Sequence, residues 1–355
     1  MQSIGERLKQ ARLAAGLSQA ELAELAQPLS KMAISKYEND QMAPGSEVLS
    51  RLAKALGVKV GYFHRPITVR LECAEYRKHS RVAQQAQHAI TGQIAETLER
   101  YLAVEEVFGP KHFPAFARPR ACREALLALE DAEERAAGLR AEWDLGDDPI
   151  GNLCETLEDQ GVKVILLGEA PKGFDAYSCW ANGAMPVVVS TAASLPGDRQ
   201  RFSLAHELGH LLLHFSNGLD VERACHRFAA AFLVPREAVY REVGRRRGQV
   251  SIEELHSLKH KWGMSMAAWT FRLRDLRVIS DEQYRSLQVR FRVNGWHVTE
   301  PGRPVEPEST ERLERLVQRA IAEDIISVSR AADFLNRPLI EVRRAMDRAL
   351  EVTPA

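Results

Sequence analysis

Short runs of apolar residues at three- and four-residue spacing, broken by brief turns, fill the chain from Ile4 to Phe63 and predict a small five-helix bundle. Leu8, Ala11 and Leu13 to Ala15 form the apolar side of a first helix that Gly16 stops. Ser18 is placed to cap a second helix, Gln19 to Ala26, with Glu21 as its capping-box partner. After a turn at Gln27-Pro28-Leu29, Ser30 caps a third helix, Lys31 to Glu38. In it Ala33, Ile34 and Tyr37 look inward, and Lys31, Met32, Ser35 and Lys36 are left outside. Pro44 and Ser46 open a fourth helix, which Gly57 ends.

Beyond Pro66 a polar helical pattern from Gln84 to Val107 carries one narrow apolar stripe of Ile90, Ile94, Leu98, Leu102 and Val107. Gly109-Pro110 and Pro119 mark a boundary, and Arg123 to Trp143 predicts a further helix. Ile150 to Gln160 reads as an amphipathic helix, Val162 to Leu167 as a strand, and Met185 to Ser190 as a second strand with an unbroken Val187-Val188-Val189 run. Pro196-Gly197-Asp198 turns the chain into a helix over Arg199 to Phe215, and Asp220 to Pro235 predicts another. Helices over Ser251 to Trp262, Ser265 to Leu276 and Ser280 to Val293 precede an extended, Pro-rich linker around Glu300 to Pro307. Leu313 to Glu323, Ser327 to Asn336 and Leu339 to Leu350 then predict a helical bundle that serves as an interaction or dimerisation element, with a second helix-turn-helix as the alternative.

Composition narrows the picture. Lys plus Arg and Asp plus Glu are 48 each, so global charge gives no argument for nucleic acid, and any such reading must rest on local motifs. The basic cluster Arg77 to Arg81 either touches nucleic acid or is a solvated loop. Five cysteines without a C-x-x-C pair speak against a disulfide framework and a structural zinc knot, and point to a reducing compartment. Met1 to Glu6 lacks a basic, apolar leader, and no segment approaches the ~20 apolar residues of a membrane span, so a soluble, cytoplasmic protein without membrane contact is expected.

The chemistry concentrates at His206-Glu207-Leu208-Gly209-His210. On a helix, residues four apart stack one turn above the other, so both imidazoles reach one ion while Glu207 stands beside them as a general base. A hydrolytic zinc site needs three protein ligands and one open position, so a third donor must come from elsewhere. Glu222, near the start of the downstream helix, is the first candidate; His226, one turn later, is either the ligand instead or a group that orients one. Tyr177, Arg199 and Arg201 are candidates for stabilising an oxyanion. The Val187 to Ser190 strand, if at a sheet edge, would hold a substrate backbone by strand addition. Cys225 reads as packing and His214 as a surface residue.

Two resemblances complete this reading. Leu17 to Ala23, followed by Ile34 to Asn39 and Leu52 to Val58, resembles the XRE-type, lambda-repressor-like helix-turn-helix family over about 60 residues. The resemblance implies that Gln19, Ser30, Lys31, Met32, Ser35 and Lys36 face double-stranded DNA. The run Arg199 to His210, with Glu222 and the Cys225 to Ala230 helix, resembles the ImmA/IrrE family of metallopeptidases. That likeness implies His206, His210 and Glu222 as zinc ligands, with manganese as the alternative ion, and Glu207 as general base; the family more often has Asn where this chain has His226. It also implies a protein substrate, either the chain itself or an XRE-type repressor, a stress, DNA-damage or prophage role, single-stranded DNA as an activator, and a homodimer. The expected architecture is multidomain and mainly α: a helix-turn-helix domain over 1–66, a helical connector over 67–122, an α+β zincin-like domain with a small sheet and an active-site helix over 123–299, and a C-terminal helical domain over 300–355. Two other classes remain open: a repressor whose metal domain is sensory or structural, and an antitoxin-like binding protein.

Overall fold

The computed structural model describes residues 4–72, 84–109, 112–113, 115–168, 174–191 and 195–351; Cys73 and the Arg77 to Arg81 cluster lie outside them. The N-terminal unit comprises α1 (Ile4–Ala14), α2 (Gln19–Leu25), α3 (Lys31–Glu38), α4 (Ser46–Leu56) and a 3-10 turn at Val60–His64. Local signals set these ends. Ser18 accepts a hydrogen bond from the Glu21 amide in a complete capping box, Ser30 accepts one from Ala33, and Gly57 closes α4 in the left-handed conformation (φ 66°). Leu8, Leu22, Ile34, Leu52 and Phe63 fill the core. Arg12 and Glu38 are buried inside it as a two-pronged ion pair, with Nε to Oε1 at 2.5 Å and Nη2 to Oε2 at 3.0 Å.

A two-residue strand, β1 (Leu71–Glu72), leads to the long helix α5 (Gln84–Phe108). The single narrow stripe expected of this helix is amended: α5 packs three neighbours in succession. Gly92 lets α1 close on it, since a Cβ there would lie 2.6 Å from the Ala14 Cα. Ile90, Ile94 and Leu98 then cover one face of the central sheet, and Val104 and Phe108 enter a cluster with Leu316, Val317 and Phe334. The connector segment therefore holds a strand and a shared spine as well as a helix.

The helix expected over Arg123 to Trp143 is also shorter than its periodicity suggests. Arg120–Cys122 is a 3-10 turn, β2 (Ala125–Leu126) follows, and α6 begins at Asp131 and runs to Glu142. Asp131 Oδ2 accepts from the amides of Leu127 and Ala128, which ties the preceding turn and stops the helix from extending backwards. Next come α7 (Leu153–Asp159), β3 (Lys163–Leu167), β4 (Ala176–Ala181) and β5 (Met185–Thr191). The four-stranded sheet has the order β1-β4-β5-β3, with β4 antiparallel to both β1 and β5 and β3 parallel to β5. The Val187 to Ser190 strand is thus interior, so it cannot take a substrate by strand addition. Both faces of the sheet are covered, which is why its valines run unbroken: Val187 and Val189 face α5, and Val188 faces the opposite layer.

That opposite layer consists of α8 (Gly197–Leu212) and α9 (Val221–Leu233), joined through β6 (His214–Phe215), which pairs in parallel with β2. The remaining helices are α10 (Arg236–Val243), α11 (Ile252–Trp262), α12 (Met266–Asp275), α13 (Asp281–Val293), α14 (Arg312–Ala322), α15 (Val328–Leu335) and α16 (Leu339–Glu351). Of the last three, α14 and α15 pack on α5 of the same chain, and α16 packs on α15. The protein is multidomain and mainly α, with a small mixed sheet.

Where the spine meets the sheet layer, Glu158 is 4% exposed and accepts a hydrogen bond from the Tyr101 hydroxyl at 3.1 Å. Burial pushes its carboxyl from 4.5 up to about 7. An acid with a raised pKa in the folded state binds its proton more tightly when folded, so its contribution is complete below the unfolded pKa and is lost as pH rises through the folded one. Wild type should therefore lose about 3 kcal/mol of stability relative to Glu158→Gln between roughly pH 5 and pH 8. Urea titrations of both proteins at the two pH values check this; parallel pH profiles would contradict it.

Candidate metal centre

The helix that carries His206 and His210 is held from two sides. Leu204, Ala205, Leu208, Leu211 and Leu212 bury its inner face. Gly209 allows α9 to approach closely, because a Cβ there would meet Phe228 Cδ1 at 3.2 Å and Cys225 Sγ at 3.3 Å. Over its N-terminal turn runs the segment expected as an extended, Pro-rich linker, which is strapped down to the helix. The Gly197 amide donates to the Val305 carbonyl at 2.8 Å, Gln200 Nε2 donates to the Glu308 carbonyl at 3.1 Å, and the Glu308 amide donates to Gln200 Oε1 at 2.7 Å. Arg201 forms a buried ion pair with the Glu308 carboxylate and donates to the Ile150 carbonyl at 2.8 Å.

On the remaining face, His206 and His210 meet Glu222 from α9. The two imidazole Nε2 atoms are 3.1 Å apart, His206 Nε2 is 3.3 Å from Glu222 Oε2, and His210 Nε2 is 3.5 Å from Glu222 Oε1. A tetrahedral zinc ion with bonds of about 2.0–2.1 Å keeps its donor atoms roughly 3.3 Å apart. The three sides of this triangle therefore match the edges of such a site. The donor set also fits, since two imidazoles and a carboxylate leave one position open for hydrolysis. Among the described residues no fourth His, Cys, Asp or Glu joins the group. The rings are largely covered, with side-chain exposures of 12% and 14%, whereas Glu222 at 48% lies on the open side. Its carboxyl is held down to about 2, first by the hydrogen bond from His206 and further by the charges of the neighbouring imidazoles.

Glu207 points to the sheet. Its Oε2 accepts a hydrogen bond of 2.6 Å from the hydroxyl of Ser178 on β4. Ser178 did not emerge from the sequence, although Tyr177, Cys179 and Ala181 alternate with Ser178 and Trp180 in a strand pattern. That alternation would have placed Ser178 opposite Val188 on the α8 side. His226 lies outside the triangle. Its ring is 4.4 Å from that of His206, and its Nδ1 donates to the Glu222 carbonyl at 2.6 Å. Burial, followed by the neighbouring His206, lowers its pKa.

The three oxyanion candidates are corrected. Tyr177 points to the far face of the sheet, into the cluster with Ile94 and Leu98, because neighbouring strand residues face opposite ways. Arg201 is consumed by the strap. Arg199 is exposed and paired with Asp175 at 2.5 Å. Cys225 is fully buried and His214 exposed. No disulfide joins the four described cysteines. In the N-terminal unit Lys31, Met32 and Lys36 are exposed on α3 and Ser35 is half-buried. The Ser30 hydroxyl caps the helix, and Gln19 Nε2 donates to Glu38 at 2.8 Å, which leaves its carbonyl oxygen as the end able to receive a donor.

Comparison with known families agrees with both units. The helix-turn-helix family matches residues 8–63, and a peptidase family described as the IrrE N-terminal-like domain matches residues 157–274. No curated protein matches the chain. The second match spans β3 to α12 and so contains the whole donor triangle with Ser178 and Glu207. No helix among the described residues is long and apolar enough to cross a membrane. The chain therefore joins a segment that matches the XRE-type helix-turn-helix family, which supports DNA binding, to a segment that matches the IrrE N-terminal-like, metallopeptidase-like family.

Proposed function

We propose that the chain is a cytoplasmic transcriptional regulator with its own zinc-dependent endopeptidase, which cuts either itself or a partner XRE-type repressor. One observation carries this reading: three donor atoms at tetrahedral spacing with Glu207 beside them, its carboxylate oriented by Ser178. When bound, the zinc ion makes water a stronger nucleophile near neutral pH and polarises the carbonyl under attack. Glu207 takes the proton of the attacking water and returns it to the leaving amine. Ser178 limits the rotation of that carboxylate, and the His226 hydrogen bond steadies the backbone of Glu222.

At the other end Lys31 and Lys36 supply phosphate contacts, while Met32, Ser35, Ser30 and Gln19 approach base edges or the groove wall. A two-fold dimer on a palindromic site suits this kind of module. Cutting a repressor removes operator binding irreversibly, which suits a stress, DNA-damage or prophage decision. Incubating the full chain, alone and with an XRE-type repressor, with Zn²⁺ in the presence and absence of single-stranded DNA should yield new fragments that a chelator suppresses. Intact protein in every arm, with zinc bound at one per chain, would sink the peptidase reading and leave the metal a sensory or structural part.

A further inference from the structure

A cleft of about 830 Å³ opens beside the donor triangle, between α8, α9, α12 and the start of the strap. His226 forms the boundary, since it lines the cleft and also lies against His206. The lining is unusual for a surface. Phe202, Phe271, Trp296 and Val298 all face it, and Phe271 and Val298 remain 44% and 78% exposed. Exposed aromatic and aliphatic side chains gathered in one concavity beside a reactive centre are what a recognition pocket for an apolar group requires.

The charges in the cleft are mostly spent. Lys259 lies between Asp198 at 3.4 Å and Glu300 at 2.9 Å, and Arg274 pairs with Asp275 at 2.9 Å. Arg199 and Arg227 reach out of the cleft to Asp175 and Glu130. Arg223, exposed and next in sequence to Glu222, has no carboxylate partner among the described residues. Its guanidinium gives the mouth of the cleft a positive charge that nothing described in the chain neutralises. The other cations of the lining are held one by one in ion pairs, so they do not form the continuous cationic track that a phosphate backbone needs. A peptide with a single carboxylate meets no such obstacle.

We propose that this cleft selects the substrate of the peptidase: it takes a large apolar side chain next to the scissile bond, with a neighbouring carboxylate of the same peptide on Arg223. The assignment rests on the peptidase reading above and adds its substrate class. Phe202 and Phe271 supply the walls that an aromatic or long aliphatic side chain fills, and His226 separates that side chain from the reacting carbonyl.

The test separates selection from hydrolysis by measuring binding in the full-length Glu207→Gln protein. The probes are short fluorescein-labelled peptides with a central Phe-Glu, Ala-Ala or Phe-Lys pair, and a labelled oligothymidylate. Phe-Glu should bind about ten-fold more tightly than either other peptide. Adding Phe271→Ala should remove the advantage over Ala-Ala, and adding Arg223→Glu should reverse the order of Phe-Glu and Phe-Lys. Both positions are exposed, so neither change threatens the fold. Equal binding of the three peptides, preferences untouched by both substitutions, or tight oligothymidylate binding lost in the same variants would overturn the assignment. If the preference and its loss are seen but wild type cuts none of the peptides, the cleft stands and the peptidase reading falls. If wild type cuts with a preference indifferent to both substitutions, the peptidase reading stands and the cleft falls.

Discussion

Glu207→Gln should lower the hydrolytic rate by about 10³-fold while zinc stays bound at one per chain. The amide has nearly the shape of the carboxylate and can still accept the Ser178 hydrogen bond, so the side chain keeps its place. What it loses is the ability to take a proton from water and hand it on. The donor triangle is untouched because Glu207 is not part of it. Cleavage rate and metal content, measured on one preparation, give the two readouts. A rate within ten-fold of wild type would show that the proton goes elsewhere, and a loss of zinc would show that Glu207 belongs to the ligand set. His206→Ala is the natural contrast, because it removes one corner of the triangle and should lose metal and activity together.

The second large effect lies far from the reacting groups in sequence. Glu308→Ala should destabilise the folded chain by about 4 kcal/mol. One Glu308 oxygen pairs with Arg201 on the metal-bearing helix, and the other accepts from the amides of Leu153 and Cys154 at the start of α7, at 2.8 and 3.0 Å. Arg201 is 6% exposed at the side chain and Glu308 10%, so truncation strands a guanidinium in a nearly dry setting and leaves two first-turn amides of α7 without their acceptor. Arg201→Met added to Glu308→Ala should recover part of the loss, because the stranded charge is then gone. Urea unfolding of the three variants measures this. A loss under about 1 kcal/mol would show that the strap holds nothing. Because the strap is tied to the first turns of α8, zinc affinity should fall with stability.

Much of the N-terminal unit was legible because its signals are local. Ser18 with Glu21, Ser30 and Gly57 act within one helical turn, and the helices they bound begin and end where those residues predict to within a residue. The Val187 to Val189 run was legible as a strand for the same kind of reason. Its place within the sheet was not, since an unbroken apolar run says that both faces are covered and says nothing about which strands flank it. β1, β2 and β6 are two residues each and have no period to read. They exist because a distant strand offers its backbone groups. The Arg123 to Trp143 pattern gives a shorter helix than its periodicity predicts because Ala125 and Leu126, apolar in a helical frame, are drawn into pairing with His214 and Phe215.

The two histidines and the glutamate between them were readable at once, because a helix alone brings residues four apart onto one face. By itself, then, the amino-acid order determined which segments are helical, where they are capped, and that two imidazoles and a carboxylate share a turn. Tertiary structure decided what those groups meet: that Glu222 comes within 3.5 Å of both rings, that Ser178 reaches Glu207 while Tyr177 faces the other side of the sheet, and that Arg201 answers to Glu308. The reason is physical. Periodicity specifies which side of an element is apolar, whereas the partner of that side is chosen by packing among all the apolar surfaces of the chain at once.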